Sequence, residues 1–183
     1  MQKTYETRRL LLKTLDETFA EMVMDYYLRN KDFLKEWELA RDKEFYSKGF
    51  QEQQLAKDVK DIENGSLLRF WIFKKGEENR IIGSIAFNNI IRGAFQSCHL
   101  SYKLDRGEIN KGYATEAVKK GVEIIFKEYN LHRIEANIMP KNKASLRVVE
   151  KLGFSNEGLA FKYLKINGKW EDHIHMVLLN EKV

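Results

Sequence analysis

Near residue 112 the apolar period of this chain changes, and that change limits what it can fold into. Before it, residues 67–74 (LLRFWIFK), 81–88 (IIGSIAFN) and 97–104 carry the short apolar runs and flanking turns of strands. After it, Ala114, Ala117, Val118, Gly121, Val122, Ile125 and Tyr129 recur at three- and four-residue steps, the single apolar face of a long helix. The junction reads Ile109-Asn110-Lys111-Gly112-Tyr113-Ala114-Thr115-Glu116. A strand that runs into a helix leaves the first helical N–H groups unpaired and aimed outward. The helix dipole adds partial positive charge at that end, so the turn suits an anion, phosphate above all. Gly112 lets the backbone approach such an anion, Ala114 obstructs little, and Lys111 adds charge. Gly112 can equally serve only to seat the helix tightly on a sheet. Neither GxxxxGK[ST] nor GxGxxG occurs.

The remaining elements follow from the same signals. A leucine-rich strand is predicted over 9–15, then two or three helices over 16–64, stopped by Asn64-Gly65. Turns fall around 76–79 and at Arg92-Gly93. Residues 133–139 (RIEANIM) form a strand halted by Pro140, and a second amphipathic helix spans 143–152, with Asn142 as N-cap and Gly153 as C′ residue. Segments 160–166 and 172–179 flank Asn167-Gly168-Lys169-Trp170, a hairpin signal. The predicted fold is α/β (α+β), a mixed, mostly antiparallel sheet flanked by helices. With one proline and no linker or repeat, residues 1–183 are expected to form a single domain.

Composition narrows the function classes. A hydrophobic share of 43% excludes a disordered chain. Lys and Arg number 32 against 27 Asp and Glu, and the resulting charge of +5 favours phosphate-rich partners. No interleaved aromatic-and-basic pattern accompanies it, so direct nucleic-acid binding is not expected. Cys98 is the sole cysteine, which excludes an internal disulfide or a multi-cysteine metal site. The start of the chain lacks a secretory h-region, and no apolar run reaches the about 18 residues that span a bilayer. A cytoplasmic location with no membrane partner is expected. His173 and His175 share a strand face but have no third ligand nearby in sequence, so no metal site is predicted.

The junction and the segments after it resemble the GNAT acetyltransferase superfamily, specifically its RimJ/RimL branch, which acetylates N-termini of ribosomal proteins. The superfamily motif Gln/Arg-x-x-Gly-x-Gly/Ala falls on Ile109-x-x-Gly112-x-Ala114. Leu131-His132-Arg133-Ile134-Glu135-Ala136-Asn137, Asn142-Lys143-Ala144-Ser145, Glu150-Lys151-Leu152-Gly153-Phe154 and Glu157-Gly158 follow in matching order and spacing. Asn88, Asn89, Arg92-Gly93-Ala94-Phe95, Cys98, Leu100 and Tyr102 match as well. The closing Tyr163-Leu164-x-Ile166-x-Gly168-x-Trp170-x-Asp172-His173 is similar to the RimJ subgroup. Ile109 departs from the pattern, because the usual polar residue there contacts phosphate.

The resemblance implies acetyl-CoA as co-substrate and a protein N-terminus, ribosomal in origin, as acceptor. It implies cofactor contacts at Tyr102, Lys103 and Leu104, at Ile109, Asn110, Lys111, Gly112, Tyr113, Ala114 and Thr115, and at Asn142 and Ser145. Ser145, in the first turn of its helix, is the candidate proton donor to the leaving thiolate. The RimI branch uses a tyrosine further along that helix, where this chain has Val149. Asn137 stands where that branch carries a glutamate, and can hold a water. His99 stands where many relatives carry a glutamate, and is either a base or a half-exposed strand histidine. Trp37, Asn88, Tyr102 and Tyr163 are acceptor-cleft candidates by family position. Cys98 could form an acyl-enzyme, but direct transfer needs no such step. Three readings remain open: an N-terminal alanine acetyltransferase for a ribosomal protein, an acetyltransferase for a small-molecule amine, and a ribosome-associated binding factor with little catalysis. The oligomeric state is not legible.

Overall fold

Eight strands join into one sheet in the computed structural model, which describes residues 2–183. The opening strand predicted over 9–15 is the second arm of a hairpin, β1 (Thr4–Glu6) and β2 (Leu10–Lys13). The first arm escaped prediction because three residues with one aromatic carry no period. Two α-helices fill the next stretch, α1 (Ala20–Leu34) and α2 (Lys48–Glu63). Ser47 caps α2 by accepting the Phe50 N–H at 3.2 Å.

Strands β3 (Leu68–Lys74), β4 (Glu77–Ile91) and β5 (Ser97–Leu104) form an antiparallel meander. Strand β4 exceeds its predicted 81–88 at its charged start because Glu77 pairs with Lys74 across a tight turn at Lys75-Gly76, after which the register shifts before Ile81 meets Phe73. Helix α3 (Tyr113–Glu128) then crosses over to β6 (Arg133–Ile138), which lies parallel to β5. Helix α4 (Lys143–Lys151) follows, with the predicted cap: Asn142 accepts the Ser145 N–H at 3.1 Å. Strands β7 (Ser155–Ile166) and β8 (Lys169–Leu179) close the chain around Asn167-Gly168, both at positive φ as this two-residue turn demands.

The sheet order is β1-β2-β3-β4-β5-β6-β8-β7, antiparallel except for β5 and β6. Helices cover both faces, which explains why β3 reads as an almost unbroken apolar run. Its Phe70 and Ile72 join a core under α3 and α4 with Ile85, Phe87, Leu100 and Val118. Its Trp71 and Phe73 join a second core under α1 and α2 with Tyr26, Leu55 and Ile81. Gly121 lets α3 lie flat, since a Cβ there would stand 2.7 Å from both Ile85 and Phe87 side chains.

Candidate active site

In mid-sheet, two neighbouring strands separate. Strands β5 and β6 pair through only Ser97–Arg133, Cys98–Ile134 and His99–Glu135. Beyond that point β5 stays with β4 as far as Leu104, and β6 stays with β8 as far as Ile138. Asp105 donates its N–H to Ile82 O of β4 at 2.7 Å. Since backbone groups alternate along a strand, the N–H and C=O of Leu100, Tyr102 and Leu104 face the opening. Backbone polar groups in a protein interior need partners, so the gap is shaped for an extended chain that carries amides.

The predicted cofactor residues other than Lys103 gather at one end and one face of this gap. Tyr102 points toward α4, where its hydroxyl accepts from Ser145 Oγ at 2.7 Å and donates to Ser145 O at 2.8 Å. Burial raises the Tyr102 phenol well above its ordinary pKa, so the pair stays protonated at neutral pH. Val149, at the tyrosine position of the RimI branch, is fully buried in the core. Cys98 is buried too, and burial, helped by Glu135, raises its thiol to about 12. It therefore carries no thiolate and packs as a core residue.

At the far end of the gap, Asn110 and Gly112 both take left-handed backbone, with φ of 61° and 79°. The first hydrogen bond of α3 runs from Glu116 N–H to Gly112 O at 3.1 Å. Among the described residues, the N–H groups from Gly112 to Thr115 have no hydrogen-bond partner. They form a concave row of donors at the positive end of a helix dipole. Lys111 contributes less free charge than its sequence suggests, because its ammonium is paired with buried Glu108 at 2.9 Å. Ile109 lies exposed beside the turn.

Of the acceptor candidates, Tyr102 lies on the cofactor face against Ser145, and the others occupy the opposite face of the sheet. Asn88 donates to Ser101 Oγ at 3.1 Å, and His99 lies 3.6 Å from Glu135 and 3.3 Å from Asn89. Asn137 donates to Tyr163 Oη at 3.3 Å, and the Tyr163 ring meets those of His175 and His173 edge-on or tilted, with centroids 4.9 and 5.6 Å away. Asn137 Oδ1 and His175 Nε2 are buried without hydrogen-bond partners. Lys103, predicted with the cofactor set, sends its side chain to this face, where it pairs with Glu38 over the Tyr27 ring. A polar cavity of about 230 Å³ opens beside it, lined by Tyr27, Gln54, Asp58, Arg69, Ser101 and Lys103. Trp37 sits half-buried on the turn after α1, and the hairpin tip bridges to the same turn through Asn167 Nδ2 and Lys35 O.

The two sets therefore lie on opposite faces of one sheet, and the gap between β5 and β6 is where they meet. Residues 9–155 match the family model of the acetyltransferase (GNAT) domain. The chain belongs to the GNAT acetyltransferase family. A curated relative in Escherichia coli K12, the [ribosomal protein uS5]-alanine N-acetyltransferase, is 37% identical over 92% of this chain and 86% of its own length. The crystal structure of the ribosomal-protein-S5-alanine acetyltransferase from Vibrio fischeri superposes with a TM-score of 0.93 at 34% identity, over 98% of this chain and 97% of that one. Mycobacterium smegmatis RimJ, solved in complex with CoA-disulfide, superposes with a TM-score of 0.91 at 26% identity, over 100% and 89% of the two chains.

Several residues of this GNAT domain shape the site in ways that the sequence did not show. Glu135 faces His99 across the last paired rung, and His175 completes the Asn137–Tyr163 group from β8. Arg9, Thr7 and Glu116 brace the glycine turn from the other end of the chain. His99 and Glu135 are 36 residues apart, Asn137 and Tyr163 are 26 apart, and Thr7 and Glu116 are 109 apart, so no local spacing betrays these pairs.

Proposed function

We propose that this enzyme transfers the acetyl group of acetyl-CoA directly to the N-terminal amine, that of an alanine, of a ribosomal protein. The observation that carries the reading is the gap between β5 and β6, ending on the unpaired N–H row of Gly112 to Thr115. The identity to two alanine-specific ribosomal-protein acetyltransferases supports the acceptor, and the RimJ complex with a CoA species supports the donor.

In this reading the N–H groups from Gly112 to Thr115 grip the pyrophosphate, and the Tyr102 and Leu104 backbone pairs with the amides of the pantetheine arm. Acetyl-CoA supplies an acyl group activated as a thioester. A backbone N–H of β5 polarises a carbonyl held in the gap, a contribution of about 3 kcal/mol for an oxyanion-type donor. The Ser145 hydroxyl, ordered by Tyr102 at the positive start of α4, turns its proton to the leaving sulfur and takes in exchange, through water, the proton that the acylated amine sheds. A peptide amine has an ordinary pKa of about 7.7–8.0, so a useful fraction is neutral near pH 7.5 and the demand on a base is small. His99 with Glu135, or a water on Asn137, meets that demand on the acceptor face. The protein is expected to act in the cytoplasm.

Labelled acetyl-CoA with peptides beginning in Ala, Ser or Met, alongside spermidine and an aminoglycoside, tests the proposal. Transfer to the Ala peptide in preference to the others is expected. Transfer to the small amines alone would replace the acceptor with a small molecule. Calorimetry showing no acetyl-CoA binding would leave only a binding factor.

A further inference from the structure

The glycine turn is an unusual piece of backbone to hold still. Two of its residues are left-handed, and its N-cap, Gly112, has no side chain to cap the helix. Ile109, exposed and apolar, offers it no side-chain hydrogen bond. A row of donors is useful for gripping an anion only if its orientation is set before the anion arrives, because ordering it afterwards costs binding energy.

One side chain from the opposite end of the sequence does the setting. Arg9, between β1 and β2, donates from Nη1 to Lys111 O at 2.9 Å and from Nε to Glu116 Oε2 at 2.7 Å. Its guanidinium lies over the Tyr113 ring, 4.5 Å from the centroid, and Nη2 approaches within 3.3 Å of where a Gly112 Cβ would stand. Glu116 is in turn fixed by the Thr7 hydroxyl and the Arg9 N–H, each at 2.7 Å. Burial pushes the Glu116 carboxyl up, yet these donors outweigh it and hold it below the ordinary glutamate value, so it stays ionised. The fork of Arg9 therefore ties the residue before Gly112 to the first turn of α3. With its own carbonyl occupied by Arg9, Lys111 cannot rotate to fold its carbonyl over the donor row.

We propose that Arg9 is the positioning residue of the phosphate turn: it presets the N–H row of Gly112 to Thr115 for a pyrophosphate and supplies the order that Ile109 does not. The inference rests on the acetyl-CoA reading above. It predicts a selective defect, because a pyrophosphate-bearing ligand uses the row and a phosphate-free one does not.

Binding of coenzyme A by calorimetry, and of pantetheine by NMR titration, tests this on wild-type protein, Arg9→Gln, Arg9→Lys and Glu116→Gln. Arg9→Gln should weaken coenzyme A about tenfold and leave pantetheine unchanged. Arg9→Lys should fail to rescue, since an ammonium cannot span Glu116 and Lys111 O as the planar fork does. Glu116→Gln should weaken coenzyme A by a smaller factor. Equal losses for both ligands would reduce Arg9 to a general stability role, and full rescue by lysine would reduce it to charge. Either result overturns the proposal, as does an unchanged Arg9→Gln. If Arg9→Gln fails to fold, Thr7→Val and Glu116→Gln decide by the same selectivity. A wild-type protein that ignores coenzyme A sinks the acetyltransferase reading as well, a result distinct from all of these.

Discussion

The two faces of the sheet are built by different means. On the side proposed for the cofactor, the ligand-facing donors are backbone N–H groups, arranged by a short run of sequence with two left-handed residues and a helix start. On the acceptor side they are side chains, drawn from β4, β5, β6, β7 and β8 and roofed by the turn after α1. Every residue but proline supplies the same backbone N–H whatever its side chain, so the first kind of site suits a ligand shared by many relatives. A side-chain site changes with each substitution, so the second kind suits whatever differs among them.

The comparison predicts that the cofactor side is broken by altering backbone, and the largest effect should come from Gly83. This residue of β4 faces Leu104, and a Cβ there would stand 2.4 Å from Lys103 O and 3.2 Å from Leu104 Cα. Neither is the end of a flexible chain, so β5 itself would have to shift toward the gap. Gly83→Ala should cost about 3 kcal/mol in urea unfolding, an overpacking loss at the upper end of the usual range. Coenzyme A affinity should fall with it. An alanine that changes neither would show that the gap tolerates movement of its wall.

Next in size is the hydroxyl pair. Ser145→Ala removes the donor to Tyr102 and should lower kcat about 100-fold with the KM for acetyl-CoA nearly kept. Tyr102→Phe should lower it less, and the double variant should be no slower than Ser145→Ala, because residues that act as a unit are not additive. An unchanged rate in Ser145→Ala removes that residue from the mechanism.

A smaller effect, about 2 kcal/mol, belongs to the residue that ties the faces together. Asp105, just past β5, accepts from Arg29 of α1 at 2.8 Å, from Arg80 of β4 at 2.9 Å and from the Gly107 N–H at 2.9 Å. Burial raises its carboxyl, but these donors prevail and bring the pKa from the usual 3.8 to about 2. A depressed carboxylate stabilises the folded state in full above its unfolded pKa, and this support fades as the pH falls from about 4 toward 2. Unfolding free energies measured across that window should drop by about 2 kcal/mol more in wild type than in Asp105→Asn. Equal slopes would mean that the ion pairs contribute nothing net.

The same division explains what could be read in advance. The glycine turn, α3, the Asn142 cap and the Asn167-Gly168 hairpin are local, and each was legible in a few neighbouring residues. The assignment of His99 and Asn137 to the site came from family position. The separation of β5 from β6 was not legible, because it depends on where pairing stops rather than on which residues pair. Arg9 was hidden for a similar reason, its partner Glu116 lying 107 residues away. Lys103 looked like a cofactor residue beside Tyr102, yet strand alternation sends it to Glu38 on the other face.

On the acceptor side the smallest effect is expected, and it discriminates best. Asn137 Oδ1 is buried with no donor, while Nδ2 is held by Tyr163 at 3.3 Å. Removing it should therefore cost little stability, because the desolvation of Oδ1 is relieved as the one modest bond is lost. If that oxygen awaits the incoming amine or its water, Asn137→Ala should raise the acceptor KM about fivefold, the size of one neutral hydrogen bond. Coenzyme A affinity should not move. A fall in thermal midpoint with the acceptor KM unchanged would place Asn137 in the architecture of β6 instead, and the amine would have to be sought nearer His99 and Glu135.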